Sequence, residues 1–514
     1  MKEKGKQTNY LSLLLNVYVL LVGVGVPLVV KDKYFDILVI KYYYYCICTI
    51  FLVISVIIYA VLVQRKSIAS YIKKNTIKTV LSKLSISDYG VILFWIIAVI
   101  STLTSGYLYE SFWGNEGRFT GLFLINWYVL SYFCISRLWK FQEIFIDVIL
   151  SAGTFVCLFG ITDYFNMDIF KFKVPMLPEQ RAIFTSTIGN INTYTAYVGI
   201  IVAISTVLFA LNKELKRSVF YYLCMIISFF AIIMGVSDNA YLSLAALFAI
   251  LPLFLFNNKA GIQKYLIIIA SFFSVIQCIR WINLVFGNSV LGIDSVFNML
   301  MNLGGLRILV IALWIIIITW KFIDIKSIKQ EKEYGNVFKY IWLFMLSIVL
   351  MVVIYIIFDI NVQGSVRYGS LSTYFMFNDD WGTHRGYIWR NALENFSKLS
   401  IWKKVFGFGP ETFGIFLLQK TSHNPYNELF DSAHNEYLHL LITVGISGLL
   451  AYLLFIADYV KKCLCGKKRN PYTIAVAIGV VCYSAQAFVN LNLPITTPIF
   501  WLLMGIGASK SNEK

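Results

Sequence analysis

Residues 340–359 read YIWLFMLSIVLMVVIYIIFD, an apolar run whose only charge, Asp359, comes at its end. As a helix, about 20 such residues cross a hydrocarbon core of roughly 30 Å. Comparable blocks recur on both sides of it, centred on 9–30, 37–63, 89–108, 121–136, 143–163, 191–211, 218–235, 240–256, 265–286, 306–324, 436–459, 472–489 and 495–509. Of 514 residues, 59% are hydrophobic and 14% charged, against roughly 25% charged in an ordinary soluble domain. Lipid is therefore the main solvent. The expected fold is an all-α polytopic membrane protein of about 12–14 transmembrane helices, with one long extracytoplasmic loop that contains short amphipathic helices.

The formal net charge of +17 raises the question of nucleic acid. The basic residues, however, lie in the breaks between apolar blocks, in short runs such as Arg65-Lys66, Lys73-Lys74 and Lys467-Lys468-Arg469. That is the pattern of loops facing an anionic leaflet, so membrane lipid and not nucleic acid is the expected partner. With Lys2, Lys4 and Lys6 cytoplasmic, alternate loops on that side collect roughly 28 of the 44 basic residues and the short outer loops only about seven. The first block is followed by Lys31-Asp32-Lys33 and not by a small-residue cleavage site, so it is expected to remain as an anchor.

The chain divides into an amino-terminal bundle (1–359), a large outer loop (360–435) and carboxy-terminal helices (436–514). A connection as long as 360–435 is unusual, and long loops on rigid scaffolds commonly carry function. All four histidines, His384, His423, His434 and His439, lie in it or just after it. His434 and His439 are separated by about 140° around a helix and share no face, and HNEYLH is not an HExxH site, so no metal is expected. His434 stands in Asp431-Ser432-Ala433-His434-Asn435-Glu436, where Asp431 or Ser432 is placed to cap the next helix. In the first turn the helix dipole favours a neutral imidazole, which can serve as a general base. The plainer reading is a polar capping residue at the membrane interface.

Arginines are scarce on the outer side, which makes Arg118, Arg181, Arg385 and Arg390 informative. Each can bind headgroups or loop carbonyls, or clamp a diphosphate bidentately. Arg385 and Arg390 fall in HRGYIWR, which reads as an amphipathic helix lying on the membrane. Trp381, Trp389, Tyr387 and Tyr437 offer faces for sugar rings, although aromatic belts are routine at membrane interfaces. No Walker, Rossmann or serine-nucleophile signature is present.

These segments follow one another in a recognisable series: W-G-x-x-x-R-x-x-G at Trp113 to Gly121, G-N-x-N at Gly189 to Asn192, and R-x-x-I-W-x-x-A-L at Arg385 to Leu393. G-F-G-P-E-T-F follows at Gly407 to Phe413, then H-N-E-Y-L-x-x-L-x-x-x-G-x-x-G from His434 to Gly448. In order and spacing the series resembles the O-antigen ligase and O-antigen polymerase family of polyprenyl-diphosphate-dependent glycosyltransferases. One departure stands out. Many relatives carry a Ser-Arg-Gly-like turn after the helix that corresponds to 218–235, whereas here it reads Ser237-Asp238-Asn239-Ala240, so either Arg181 or another outer arginine substitutes or the substrate differs.

The resemblance implies a metal-independent, cofactor-free, inverting transfer on the outer face of the bacterial cytoplasmic membrane, with a glycan on undecaprenyl diphosphate as donor. It implies His434 as base, oriented by Glu436 or Asp431, and a diphosphate site drawn from Arg118, Arg385, Arg181 and Arg390. Trp389, Asn435 and Tyr437 would meet the glycan, and other polysaccharide assembly proteins are possible partners. Polymerase and ligase share these motifs. The richness in Ile, Lys, Tyr and Asn suggests an AT-rich genome of a capsule or exopolysaccharide producer and leans toward polymerase. A lipid-linked oligosaccharide flippase is the main rival, but only Lys41 and Arg280 lie clearly within spans, where a transporter should carry ionisable groups. A silent scaffold for envelope enzymes is a third reading.

Overall fold

The computed structural model describes residues 2–115, 117–294, 296–326 and 333–512; Glu116 of the Trp113–Gly121 motif lies outside them. Among the described residues ten helices are long and apolar enough to cross a membrane. They are Tyr10–Leu28, Ile37–Leu62, Ile86–Leu103, Glu143–Tyr164, Ile191–Leu211, Leu215–Met234, Lys259–Val285, Leu306–Ile323, Val337–Gln363 and Pro471–Val489. The other four expected spans are also helical but shorter or more charged: Leu122–Leu138, Ala240–Leu255, Gly445–Cys465 with Asp458, Lys461 and Lys462, and Thr497–Asn512. The protein is an all-α polytopic membrane protein.

Ile191–Leu211 runs through the centre, 94% buried, against Leu215–Met234, Ala240–Ile250 and Pro471–Gln486. Its sequence is apolar on every side, as such a position requires. Val337–Gln363 is the opposite case, with none of its most apolar window buried and Phe344, Leu350, Met351 and Ile354 exposed. That surface suits hydrocarbon and would be untenable in water. Lys41, inside Ile37–Leu62, donates to the carbonyl oxygens of Val26, Pro27 and Val29 at 2.6, 3.0 and 3.1 Å. It thereby caps the end of the Tyr10–Leu28 helix, where carbonyls lack partners and the dipole is negative.

The expected span 436–459 is not one helix. It breaks into Glu436–Thr443 and Gly445–Cys465, and the 360–435 loop accounts for the break. Carbonyls freed at Ile442 and Thr443 accept the Phe408 and Gly409 amides, both at 2.9 Å, and Thr443 also accepts Ser101 Oγ at 2.7 Å. Gly407 and Gly445 lie against each other with φ +87° and +73°, and a Cβ on Gly445 would stand 2.3 Å from the Val405 oxygen. Gly445→Ala is therefore expected to cost about 1–3 kcal/mol through left-handed backbone and overlap. The thermal midpoint of the detergent-solubilised protein checks this, and an unchanged midpoint contradicts it.

The 360–435 loop holds four short helices, Ser370–Phe375, Trp381–Ser397, Ile401–Phe406 and Phe413–Thr421. Ile388, Ala392, Phe413, Phe416, Leu417 and Ala433 give it a small core of its own, continued by Leu438 and Ile442. The helix expected from 384 starts one residue later in helical geometry, because Gly382, Thr383 and His384 are all left-handed. The loop closes over the end of the bundle where the 113–121, 189–192, 237–239 and 490–492 segments also lie.

Candidate functional site

His434 does not sit in the first turn, and neither Asp431 nor Ser432 caps the helix. Asn435 is the cap, its side-chain oxygen accepting the Leu438 amide at 3.0 Å. A better-placed amide three residues before Leu438 outcompetes the earlier candidates. His434 precedes the cap with φ +46°. Ser432 Oγ accepts its amide at 3.1 Å, and Trp389 Nε1 donates to the neighbouring Ala433 oxygen at 2.7 Å. Backbone and not ring contacts thus fix the residue. Among the described residues its imidazole has no hydrogen-bonding partner. Burial pushes the imidazole down to about 4, the nearby Arg385 and Arg118 guanidinium groups push the same way, and Asp431 opposes them. It is neutral at physiological pH.

The two arginines come from separate segments. Arg118 forms a two-pronged pair with Asp431, Nη2 to Oδ1 at 2.6 Å and Nε to Oδ2 at 3.2 Å. Arg118 is 11% exposed and Asp431 54%. Arg385 reaches the 237–240 turn, donating to Asn239 Oδ1 at 3.3 Å, and burial lowers its pKa while Tyr241 and Asp238 counter that. A guanidinium from the loop thus occupies the turn where the sequence itself carries Asp238-Asn239. Ser237 Oγ donates to Asn192 Oδ1 at 2.7 Å, and Asn490 Nδ2 donates to the Asn192 carbonyl at 3.0 Å. The G-N-x-N segment is thereby joined to the same end.

Asp431 belongs to Arg118 and not to His434, and Glu436 turns inward. Its carboxylate accepts Tyr452 Oη at 2.7 Å, with Tyr483 Oη and Asn492 Nδ2 at 3.4 Å. Neither orients the His434 ring, as the sequence had suggested. Asp431→Asn keeps an acceptor but takes the ionic partner from the mostly buried Arg118, and is accordingly expected to cost about 1–2 kcal/mol. It should tighten binding of inorganic diphosphate at Arg118, and a tenfold loss of that affinity, on the order of 1.4 kcal/mol, would contradict the assignment.

Glu411 and His439 were legible only as an acid in a turn and a failed metal ligand. Glu411 is buried with φ +58°, accepts Thr120 Oγ1, and has His439 Nε2 3.9 Å from its carboxylate. Together with Arg118, Asn435, Glu436, Asn490 and Asn492 they line one narrow cavity below the Arg118–Asp431 pair. An acid placed after Gly-Phe-Gly-Pro and the Asn-Leu-Asn between the last two spans were the available signals. Burial raises the Glu411 carboxyl to about 8, with Arg118 lowering it and Asp431 raising it. Its ordinary value is 4.5, so the folded form keeps a proton that the unfolded chain loses. This contribution to stability is full below pH 4.5 and lost as pH rises toward 8. Glu411→Gln should flatten the decline of the thermal midpoint between about pH 5 and 8, and an unaltered slope contradicts the assignment.

The other expected site residues are held by contacts of their own. Arg181 donates to the Met176 and Val174 carbonyls at 3.2 and 3.4 Å, within its own loop. Arg390 pairs with Asp379 at 2.6 and 2.9 Å on the surface. Trp389 packs on Trp381, with centroids 5.2 Å apart, and holds Ala433; Tyr437 donates to the Ser484 carbonyl at 2.6 Å. Asn435 is the helix cap. His384 stacks on Tyr426 at 3.8 Å and faces Glu428 at 3.1 Å. Among the described residues no three His, Cys, Asp or Glu side chains converge on one point as metal ligands.

What fold and site define together is a multi-pass membrane protein with a neutral histidine near two guanidinium groups at one end of its bundle. No protein-family model matches the chain, and no curated protein matches it.

Proposed function

We propose that the protein is a bacterial cell-surface polysaccharide polymerase, a glycosyltransferase acting at the outer face of the cytoplasmic membrane on an undecaprenyl-diphosphate-linked oligosaccharide. The observation that carries this reading is the neutral His434 within the electrostatic reach of both Arg118 and Arg385. Diphosphate leaves readily once its charge is met, and two guanidinium groups can meet it without a metal or a general acid. An acceptor hydroxyl oxygen attacks the anomeric carbon from the side opposite the diphosphate. The new glycosidic bond forms as the bond to the diphosphate breaks, its electron pair leaves with the diphosphate oxygen, and the hydroxyl proton passes to His434. The sugar configuration inverts.

The same cations that keep His434 neutral also weaken it as a base. A bound diphosphate offsets their charge, so the imidazole grows more basic when the donor is in place. The flippase reading loses support because Lys41, buried inside Ile37–Leu62, is held by three carbonyls and not left to face a cavity. The test is to incubate the purified, lipid-reconstituted protein with a polyprenyl-diphosphate-linked repeat unit. Lengthening of the glycan with release of polyprenyl diphosphate supports the polymerase. Transfer only to a different acceptor supports a ligase, and no transfer by active-site-intact protein contradicts both.

A further inference from the structure

We propose that a lateral groove at the end of the bundle opposite the candidate site binds an anionic phospholipid, whose phosphate is held by Lys264 and Lys321. The groove lies between Leu215–Met234, Lys259–Val285 and Leu306–Lys326 and encloses about 520 Å³. That is within the roughly 300–1,000 Å³ of small-molecule sites. Val219, Tyr222, Leu266, Ile267, Trp314 and Ile318 form its wall, and the lining includes two lysines but no Asp or Glu. Lys264 Nζ is fixed by Ser218 Oγ at 3.2 Å and the Phe209 carbonyl at 3.3 Å, 4.0 Å from the Phe209 ring centroid. Two of its three hydrogens are thus used, and one is left for a ligand.

The chemistry of the occupant follows from both halves of the site. Two ammonium groups beside an apolar wall, without a carboxylate in the lining, call for an anion. The wall opens sideways, with Val219 and Ile318 each 51% exposed, so in a bilayer it is covered by acyl chains. Trp314 Nε1 donates to Ser274 Oγ at 3.0 Å and Tyr222 Oη meets Ser271 Oγ at 3.0 Å, so these rings form a preformed surface. Free phosphate would satisfy the lysines and leave the wall bare. A phospholipid with an anionic head satisfies both, and basic pockets between membrane helices are known to hold such heads. The distribution of basic residues puts this end in the cytoplasmic leaflet, where anionic lipid is available.

The full-length protein in mild detergent is titrated with phosphatidylglycerol or phosphatidylcholine of identical chains, and bound lipid is counted by native mass spectrometry. Wild type is expected to prefer phosphatidylglycerol by roughly 30-fold, from two lysines near a phosphate. Lys264→Gln with Lys321→Gln should abolish the preference. Lys321→Gln alone, at an exposed position, should reduce it even if the double variant misfolds. Equal preference in wild type and Lys321→Gln overturns the proposal, as does equal binding of the two lipids by wild type. Displacement of phosphatidylglycerol by inorganic phosphate at equal concentration would also overturn it, because the apolar wall would then contribute nothing.

Discussion

His434→Ala is expected to reach the membrane in wild-type amounts and to transfer glycan about 10²–10⁴-fold more slowly, the range lost with a general base. Little stability should be lost, because the backbone there is set by Ser432, by Trp389 on Ala433 and by the Asn435 cap, none of which uses the imidazole. His434→Asn is the stricter variant: asparagine tolerates the left-handed φ of +46° but cannot take up the proton. A second signature separates a base from a cap. The acid limb of kcat/KM reports the free enzyme and should lie near the His434 value of about 4, whereas the limb of kcat should lie higher because bound diphosphate offsets Arg385 and Arg118. If both variants retain wild-type turnover, His434 is an interface residue and the proton goes elsewhere.

Arg385→Ala is expected to cost about 10²–10³-fold in kcat, comparable to removing a group that stabilises developing negative charge. Its guanidinium is partly buried, so the interaction is less screened by water and salt than one at an open surface. Arg385→Lys should recover only part of the loss, since an ammonium is a point charge without the planar fork. Folding should be nearly unaffected. The residue gives Asn239 one bond of 3.3 Å, and Asn239 remains tied to the Val489 carbonyl at 2.9 Å. Wild-type rates with Arg385→Ala would mean that this turn does not face the leaving group.

The helices were legible because lipid demands apolar length: Val337–Gln363 announces itself by composition, and so does the buried Ile191–Leu211. What sequence could not give was the break at Val444-Gly445. Thr443, Val444 and Gly445 are weak helix formers, but such residues are tolerated within membrane spans, and the partner that makes the break, the Gly407–Gly409 turn, arrives from a loop about 35 residues earlier. The site divides in the same way. His434, Arg118 and Arg385 stood out because positive charge is rare in the loops on that side of the bundle, and the fold brings both arginines within electrostatic reach of the histidine. Arg181 and Arg390 stood out for the same reason, but their partners, two loop carbonyls and Asp379, are local. Asp431 and Glu436 flank His434 in sequence, yet the extended backbone and the helix start send them to Arg118 and to Tyr452. Glu411 was passed over because its burial arises only when the loop closes on Thr120 and His439.

The most direct measurement is the length of surface polysaccharide, resolved on a gel, in a deletion strain complemented with wild type, His434→Asn or Arg385→Ala, each confirmed in the membrane. The account predicts long chains with wild type and single repeat units with both variants. Long chains of normal distribution with His434→Asn would contradict it, and the site would then belong to a transporter or a scaffold.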